Sequence, residues 1–262
     1  MLLLNGDCLE LMKTLPDKSV DLFICDLPYG CLTTSKVKDY EKYLENKEKF
    51  KLGNSYVGCE WDVKINLEAF WIQVERLMKN EHTPIIQFCN TRFGNDLINS
   101  KPTWFRYDLV WSKPQGVGFL CANKQPLRSH ENIYVFAKKG ATYYRKDIEG
   151  DFPNTNKGGS TKSNVYNVPA KHLESNEGKR CVKSVIEIYN KKARGQHPTA
   201  KPIELYKFLI ERYSNEGDTV LDPTFGSGNS GLASTELKRK YIGIEMNEKF
   251  YTDFVGKTES PN

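Results

Sequence analysis

The run "VDLFIC" (20–25) reads as a strand and delivers a carboxylate, Asp26, to its mouth, where the chain turns at once through Leu27, Pro28, Tyr29 and Gly30. On its own such an acid either ends the strand and caps the turn or serves a site. A second chemical signal lies far downstream, in "TVLDPTFGSGNSG" (219–231). There an apolar strand enters a loop containing Gly226 and Gly228, and a helix follows. Glycines in that place permit positive φ and let a ligand approach the backbone, while the helix offers free N–H groups. The spacing is neither GxxxxGK[ST] nor a full GxGxxG. Glu245 closes the next strand, "YIGIE" (241–245), about twenty residues after the loop. An acid so placed accepts hydrogen bonds from ribose hydroxyls. A ligand with a ribose is expected; a dinucleotide and an adenosyl group both fit.

The elements that must position these residues are read from apolar periodicity. "LLLN" (2–5) is a short strand, followed by a helix near 8–15. Residues 67–78 carry a stripe of Leu67, Phe70, Trp71, Val74, Leu77 and Met78, with Asn66 as its cap. "PIIQFC" (84–89) is a strand, and "RYDLVW" (106–111) and "NIYVFAK" (132–138) form a further pair. Ile203, Tyr206, Leu209, Ile210 and Tyr213 mark a helix over 201–213, and another follows the glycine loop at about 229–238. Alternating strands and helices predict a parallel-rich sheet flanked by helices. Two stretches lack a period: 31–60, lysine-rich and read as a long loop, and 142–195. The latter holds eleven Lys/Arg against six Asp/Glu, which suits either a surface excursion or a nucleic-acid contact.

With 262 residues, 39% hydrophobic and 27% charged, the chain has the makings of one large α/β domain, and its formal charge of +5 tolerates a polyanionic partner. Its seven cysteines form no CxxC pair, so free thiols in a reducing interior are expected and no metal site is. The opening "MLLLNGDCLELMK" lacks a basic leader pattern, and no stretch reaches membrane-span length. A soluble, cytoplasmic protein is expected.

Four segments in order carry a family resemblance. "DLPY" (26–29) resembles the (D/N/S)PP(Y/F) catalytic motif of S-adenosylmethionine-dependent DNA amino-methyltransferases, and the loop "DPTFGSG" (222–228) resembles their FxGxG cofactor motif. "HPTAKP" (197–202) resembles their HPTxKP element, and "RSHENIYVFAKKG" (128–140) a further shared segment. Catalytic motif first and cofactor motif last is the permuted, β-class order. The resemblance implies a Rossmann-like α/β methyltransferase fold, circularly permuted, with a mostly parallel seven-stranded sheet, one antiparallel strand and a target-recognition insertion. Residues 1–141 and 196–255 would form the catalytic and cofactor domain, 142–195 the target-recognition region, and 31–60 a DNA-contacting or mobile loop.

The implied activity is methyl transfer from S-adenosylmethionine to the exocyclic N6 of a flipped adenine in double-stranded DNA. An aspartate opening favours adenine; cytosine-N4 transfer and a non-catalytic nucleic-acid-binding subunit are the alternatives. Asp26 and the main-chain carbonyl of Leu27 would accept the two amine N–H groups, Pro28 would hold residue 27 extended, and Tyr29 would stack on the base. Leucine at 27 departs from the family's proline but keeps the carbonyl. The cofactor set implied is Asp7, Cys8, Asp26, His197, Thr199, Lys201, Asp222, Phe225, Gly226, Ser227, Gly228, Glu245 and Met246, with no metal. Lys201, His197 and Thr199 belong near the methionine end. The DNA set is Lys113, Arg128, His130, Arg145, Lys146, Lys162, Arg180 and Arg194. A monomer or homodimer, with a cognate restriction endonuclease as a further partner, completes the expectation.

Overall fold

Strands buried on both faces read as continuous apolar runs, and such runs pair in parallel here. The computed structural model describes residues 1–30, 62–149, 179–189 and 200–259. Its strands are β1 (Leu2–Asn5), β2 (Leu22–Cys25), β3 (Ile85–Cys89), β4 (Phe105–Val117), β5 (Arg128–Phe136), β6 (Ile148–Glu149), β7 (Lys179–Arg180), β8 (Val185–Glu187), β9 (Thr219–Asp222) and β10 (Lys240–Glu245). The main sheet runs β1-β10-β9-β2-β3-β5-β4-β8, and only β5 is reversed. Among the described residues it therefore has eight strands rather than seven. The added edge strand, β8, lies within 142–195, where no hydrophobic period marks it. A separate ribbon pairs β6 with β7.

Helices cover both faces. On one side lie α1 (Cys8–Met12), α2 (Leu67–Leu77) and α3 (Thr91–Ser100); on the other α4 (Ile203–Tyr213), α5 (Asn229–Glu236) and α6 (Glu248–Glu259). Asn66 caps α2 by accepting from the Ala69 N–H at 3.1 Å, as its sequence position foretells. Trp71 crosses from α2 to α3, donating through Nε1 to Ser100 Oγ at 2.8 Å. The first helix is shorter than expected, five residues rather than eight, because the chain tightens into i→i+3 turns ahead of Pro16. Neither α3 nor α6 is foretold. Helix α3 buries only Phe93, Gly94 and Leu97, a stripe too narrow to stand out.

Pairing sets the site. Leu22 and Phe23 of β2 lie beside Val220 and Leu221 of β9, so the segments after both strands leave the same edge. Asn5 of β1 sits opposite Glu245 of β10, which brings the two ends of the fold together. No helix among the described residues is long and apolar enough to cross a membrane.

Candidate active site

Five parallel strands deliver their following residues to one edge of the sheet: Asp7 after β1, Asp26 after β2, Asn90 after β3, the glycine loop after β9 and Glu245 closing β10. Crevices at this edge are where open α/β sheets hold ligands.

Asp26 is the hub. Its Oδ1 accepts from the Tyr29 hydroxyl at 2.8 Å, and its Oδ2 takes the Lys201 ammonium in a short ion pair. Thr224, in the loop after β9, donates through Oγ1 to the Asp26 main-chain carbonyl at 3.1 Å. Lys201 is buried; it also reaches Glu131 Oε2 at 3.6 Å and stands 4.6 Å from the centre of the Phe88 ring. Its carbonyl accepts from Asn229 Nδ2 at 2.7 Å. Glu131 in turn pairs with Lys113, which lies over the Trp111 ring. Burial pulls the Lys201 ammonium's pKa down, but Asp26 and Glu131 together outweigh it and leave it raised. Burial likewise pushes Glu131 up, and Lys201 and Lys113 overcome that, so its carboxyl is held below the usual range. The chain Tyr29–Asp26–Lys201–Glu131–Lys113 is thus a charged network at the end of β2.

Around Asp26 the expected catalytic residues gather. The Tyr29 ring stacks on Phe93 at 5.2 Å and 25°, and burial followed by the Asp26 charge drives its phenol well above the ordinary value. Leu27 sends its side chain into the core at 1% exposure, and among the described residues nothing donates to its carbonyl.

The glycine loop and Glu245 form the neighbouring half. Glu245 Oε2 accepts from the Gly226 N–H at 2.9 Å and Oε1 from the Asn247 N–H at 2.7 Å. Burial raises the Glu245 carboxyl, and those N–H groups offset part of the rise. Gly226 has φ +52° and open space where a Cβ would stand. Gly228 has φ +78°, and a Cβ there would meet Phe254 at 2.0 Å, so its glycine serves packing. Phe225 is buried against Phe254. Ser227 and Met246 are half-buried in the loop and after β10. Asp7 caps α1 through Oδ1, accepting from Leu9 N at 2.9 Å and Glu10 N at 3.1 Å, while its Oδ2 is buried with no hydrogen-bond partner among the described residues. Cys8 is buried, and burial followed by the Asp7 charge raises its thiol.

Two expected cofactor residues find other surroundings. Asp222 lies beneath the loop, 1% exposed, accepting from Thr224 N at 3.0 Å and Ser230 Oγ at 2.6 Å. It holds the loop's shape rather than facing a ligand. Burial lifts its carboxyl to about 7, against the hydrogen bonds that lower it. Lys201, expected near a methionine end, puts its ammonium on Asp26. His197 and Thr199 lie outside the described residues.

The expected DNA contacts scatter. Lys113 is committed to Glu131, Arg128 donates to Thr91 Oγ1 at 3.2 Å, and His130 is exposed beside them on β5. Arg145 is bidentate to Asp147 at 2.6 and 2.8 Å. The exposed Lys146 offers its carbonyl to Arg212 at 3.0 Å, and Arg180 sits opposite Ile148 on the ribbon. Arg212 lies near the C-terminal end of α4, about 14 Å along the helix from Ile203. Lys162, Arg194, most of 142–195 and all of 31–60 fall outside the described residues. The unforeseen members of the site are Glu131, Thr224 and Asn229. An acid two residues ahead of the apolar run "IYVF" (133–136) is the one signal the sequence offered for Glu131.

Comparison with known proteins agrees with this fold. Residues 20–255 match the profile of the N6/N4 family described as DNA methylase. The type II methyltransferase M.HinfI of Haemophilus influenzae is 27% identical over 264 residues, covering 95% of this chain and 65% of that protein. The chain thus spans just under two thirds of that relative's length. The crystal structure of an M1.HpyAVI–SAM complex superposes with a TM-score of 0.62 at 18% identity, covering 99% of both chains. The PvuII DNA methyltransferase, titled cytosine-N4-specific, gives 0.66 at 16%, covering 99% of this chain and 86% of that one. At these identities the two structures speak for the fold, a mostly parallel α/β sheet of the DNA methyltransferase type.

Proposed function

The chain belongs to the N6/N4 DNA methylase family, and from that premise we propose that it transfers a methyl group from S-adenosylmethionine to the exocyclic N6 of an adenine flipped out of duplex DNA. One observation carries the proposal: Asp26 and the glycine loop share a single wall, joined by Thr224 Oγ1 on the Asp26 carbonyl at 3.1 Å.

The residues fit the cofactor. The buried, unpartnered Asp7 Oδ2 suits the amino group of an adenine ring. The open space over Gly226 admits a ligand against the backbone, and the lone pairs left on Glu245 suit ribose hydroxyls. S-adenosylmethionine, when bound, supplies a methyl group activated by its sulfonium.

The chain supplies position and charge. An exocyclic amine is a poor nucleophile because its lone pair is delocalised into the ring. Two acceptors, one per N–H, favour a tetrahedral nitrogen with the lone pair directed outward. Asp26 offers one and the Leu27 carbonyl the other. A fixed carboxylate then stabilises the positive charge that develops on nitrogen. Lys201, buried and clamped by Glu131, fixes the rotamer of Asp26. Tyr29 is half-buried, so its hydroxyl is the partner that an incoming amine can displace. The Tyr29 ring face, already braced by Phe93, offsets part of the cost of unstacking the base.

The aspartate opening of "DLPY" (26–29) favours adenine over cytosine-N4. Mass spectrometry of nucleosides from DNA incubated with the protein and S-adenosylmethionine tests it. N6-methyladenine is expected; N4-methylcytosine alone would overturn the choice of base, and no modified base would overturn the activity. The M.HinfI relative is a type II methyltransferase, so a companion endonuclease is part of the proposal.

A further inference from the structure

The β4–β5 hairpin ends in a tip that the sheet does not need. Beyond Ser112 and His130 the strands pair again only at Val117 and Arg128, across a large irregularity. Gly116 lets the arms close, since a Cβ there would stand 2.6 Å from Leu127 Cβ. Gly118, at φ +93°, then turns the chain into a short helical turn, Phe119–Cys121. On it Phe119 is 80% exposed and Leu120 98% exposed, with Val117 at 52% and Leu127 at 44%. Four large apolar side chains on one projecting arm call for an occupant.

Charge and place say which. No acidic residue occurs from Leu109 to His130, while Lys124 and Arg128 stand on the arm and Arg92 is exposed on α3, whose Thr91 Arg128 contacts. A second copy docking tip to tip would set these cations against their own kind. A polyanion would not. The root of the arm is also tied to the site, through Lys113 to Glu131, Glu131 to Lys201 and Lys201 to Asp26. From Lys113 to Phe119 the backbone can reach about 20 Å, enough to meet a duplex whose base is in the pocket.

Resting on the proposed function, we propose that the hairpin tip is a wedge: Phe119, supported by Leu120, enters the base stack of duplex DNA and fills the gap left by the extruded base. Apolar wedges of this kind hold duplex steps apart. Phe119 stabilises the open helix while Asp26 and Tyr29 hold the base.

The test is kcat/KM for methyl transfer by wild type and Phe119→Ala on two duplexes bearing the site mapped by sequencing modified DNA. One has the target base paired; the other has it opposite an abasic position. On the paired duplex the variant should lose about 5- to 150-fold, the range of one base–aromatic stack. On the abasic duplex the loss should shrink to about two-fold. Thermal melting should be unchanged, because an exposed side chain holds little of the fold. Equal losses on both duplexes, or none on either, overturn the wedge. A dimer that becomes monomeric on substitution, with wild-type turnover per chain, overturns it in favour of an interface between copies. Should the wild type transfer no methyl group to DNA, the proposed function fails and the wedge with it. A working wild type beside an unaffected variant refutes the wedge alone.

Discussion

Replacing Lys201 by methionine tests whether the ammonium organises Asp26. Methionine keeps most of the stem but removes the charge, and with it the ammonium's contact with the Phe88 ring. The side chain of Lys201 is 4% exposed, and Asp26 and Glu131 both face its nitrogen. Breaking a buried pair from one side costs about 3–5 kcal/mol. Glu131 keeps Lys113 as a second cation, which places the loss near the lower end, about 3 kcal/mol. For a domain of this size that lowers Tm by roughly 6–12 °C. The sign with pH follows from the shifts. Lys201 is raised, so its contribution is complete below the ordinary lysine value of 10.5 and is lost only as pH climbs through the higher folded value. Glu131 is lowered, so its contribution is present above 4.5 and is lost as pH falls through the lower folded value. The gap between wild type and Lys201→Met should be flat between these limits and narrow in acid. Urea titrations at pH 7 and pH 4 measure it. Methyl transfer should fall about 10²–10³-fold, the usual effect of losing one preorganised electrostatic group. A variant that melts within a degree of wild type and turns over normally would refute the ion-pair account of Asp26.

Gly226→Ala should fold, at a strain cost of about 1–2 kcal/mol for its φ of +52°, yet lose S-adenosylmethionine affinity in calorimetry. Gly228→Ala should instead lose stability, because its Cβ would collide with Phe254. The Asp222 carboxyl, raised by burial to about 7 from 3.8, binds its proton more tightly folded than unfolded. Stability should therefore fall as pH rises from 3.8 to about 7, by roughly 4 kcal/mol in all, and Asp222→Asn should flatten that decline in urea titrations. Tyr29→Phe removes only the 2.8 Å bond to Asp26; it should shift stability by about 1 kcal/mol and leave stacking intact, whereas Tyr29→Ala should lose turnover about 5- to 150-fold.

The sheet was legible because its central strands are buried on both faces. The runs ending in Asp26, Asp222 and Glu245 could hardly be anything else, and they bring their carboxylates to one edge. Helix α3 was hidden because Gly94 sits in its buried stripe, admitting the Tyr134 ring where a Cβ would stand 2.6 Å from it. Strand β8 shows only Ile186 to the core, which no periodicity can reveal in three residues. Lys201 and Asp26 are 175 residues apart, so their pairing is a product of topology that local pattern does not encode. The same holds for Glu131 with Lys201. Acidic neighbours engage some of the expected DNA-contacting cations, Asp147 for Arg145 and Glu131 for Lys113, which charge counting along the chain does not show.

Single-turnover transfer of a labelled methyl group from S-adenosylmethionine to DNA by Asp26→Ala bears most directly on the proposed chemistry. The variant should still bind cofactor and DNA while transfer falls by at least about 10²-fold. Transfer at the wild-type rate would show that the carboxylate at the mouth of β2 does not hold the reacting amine.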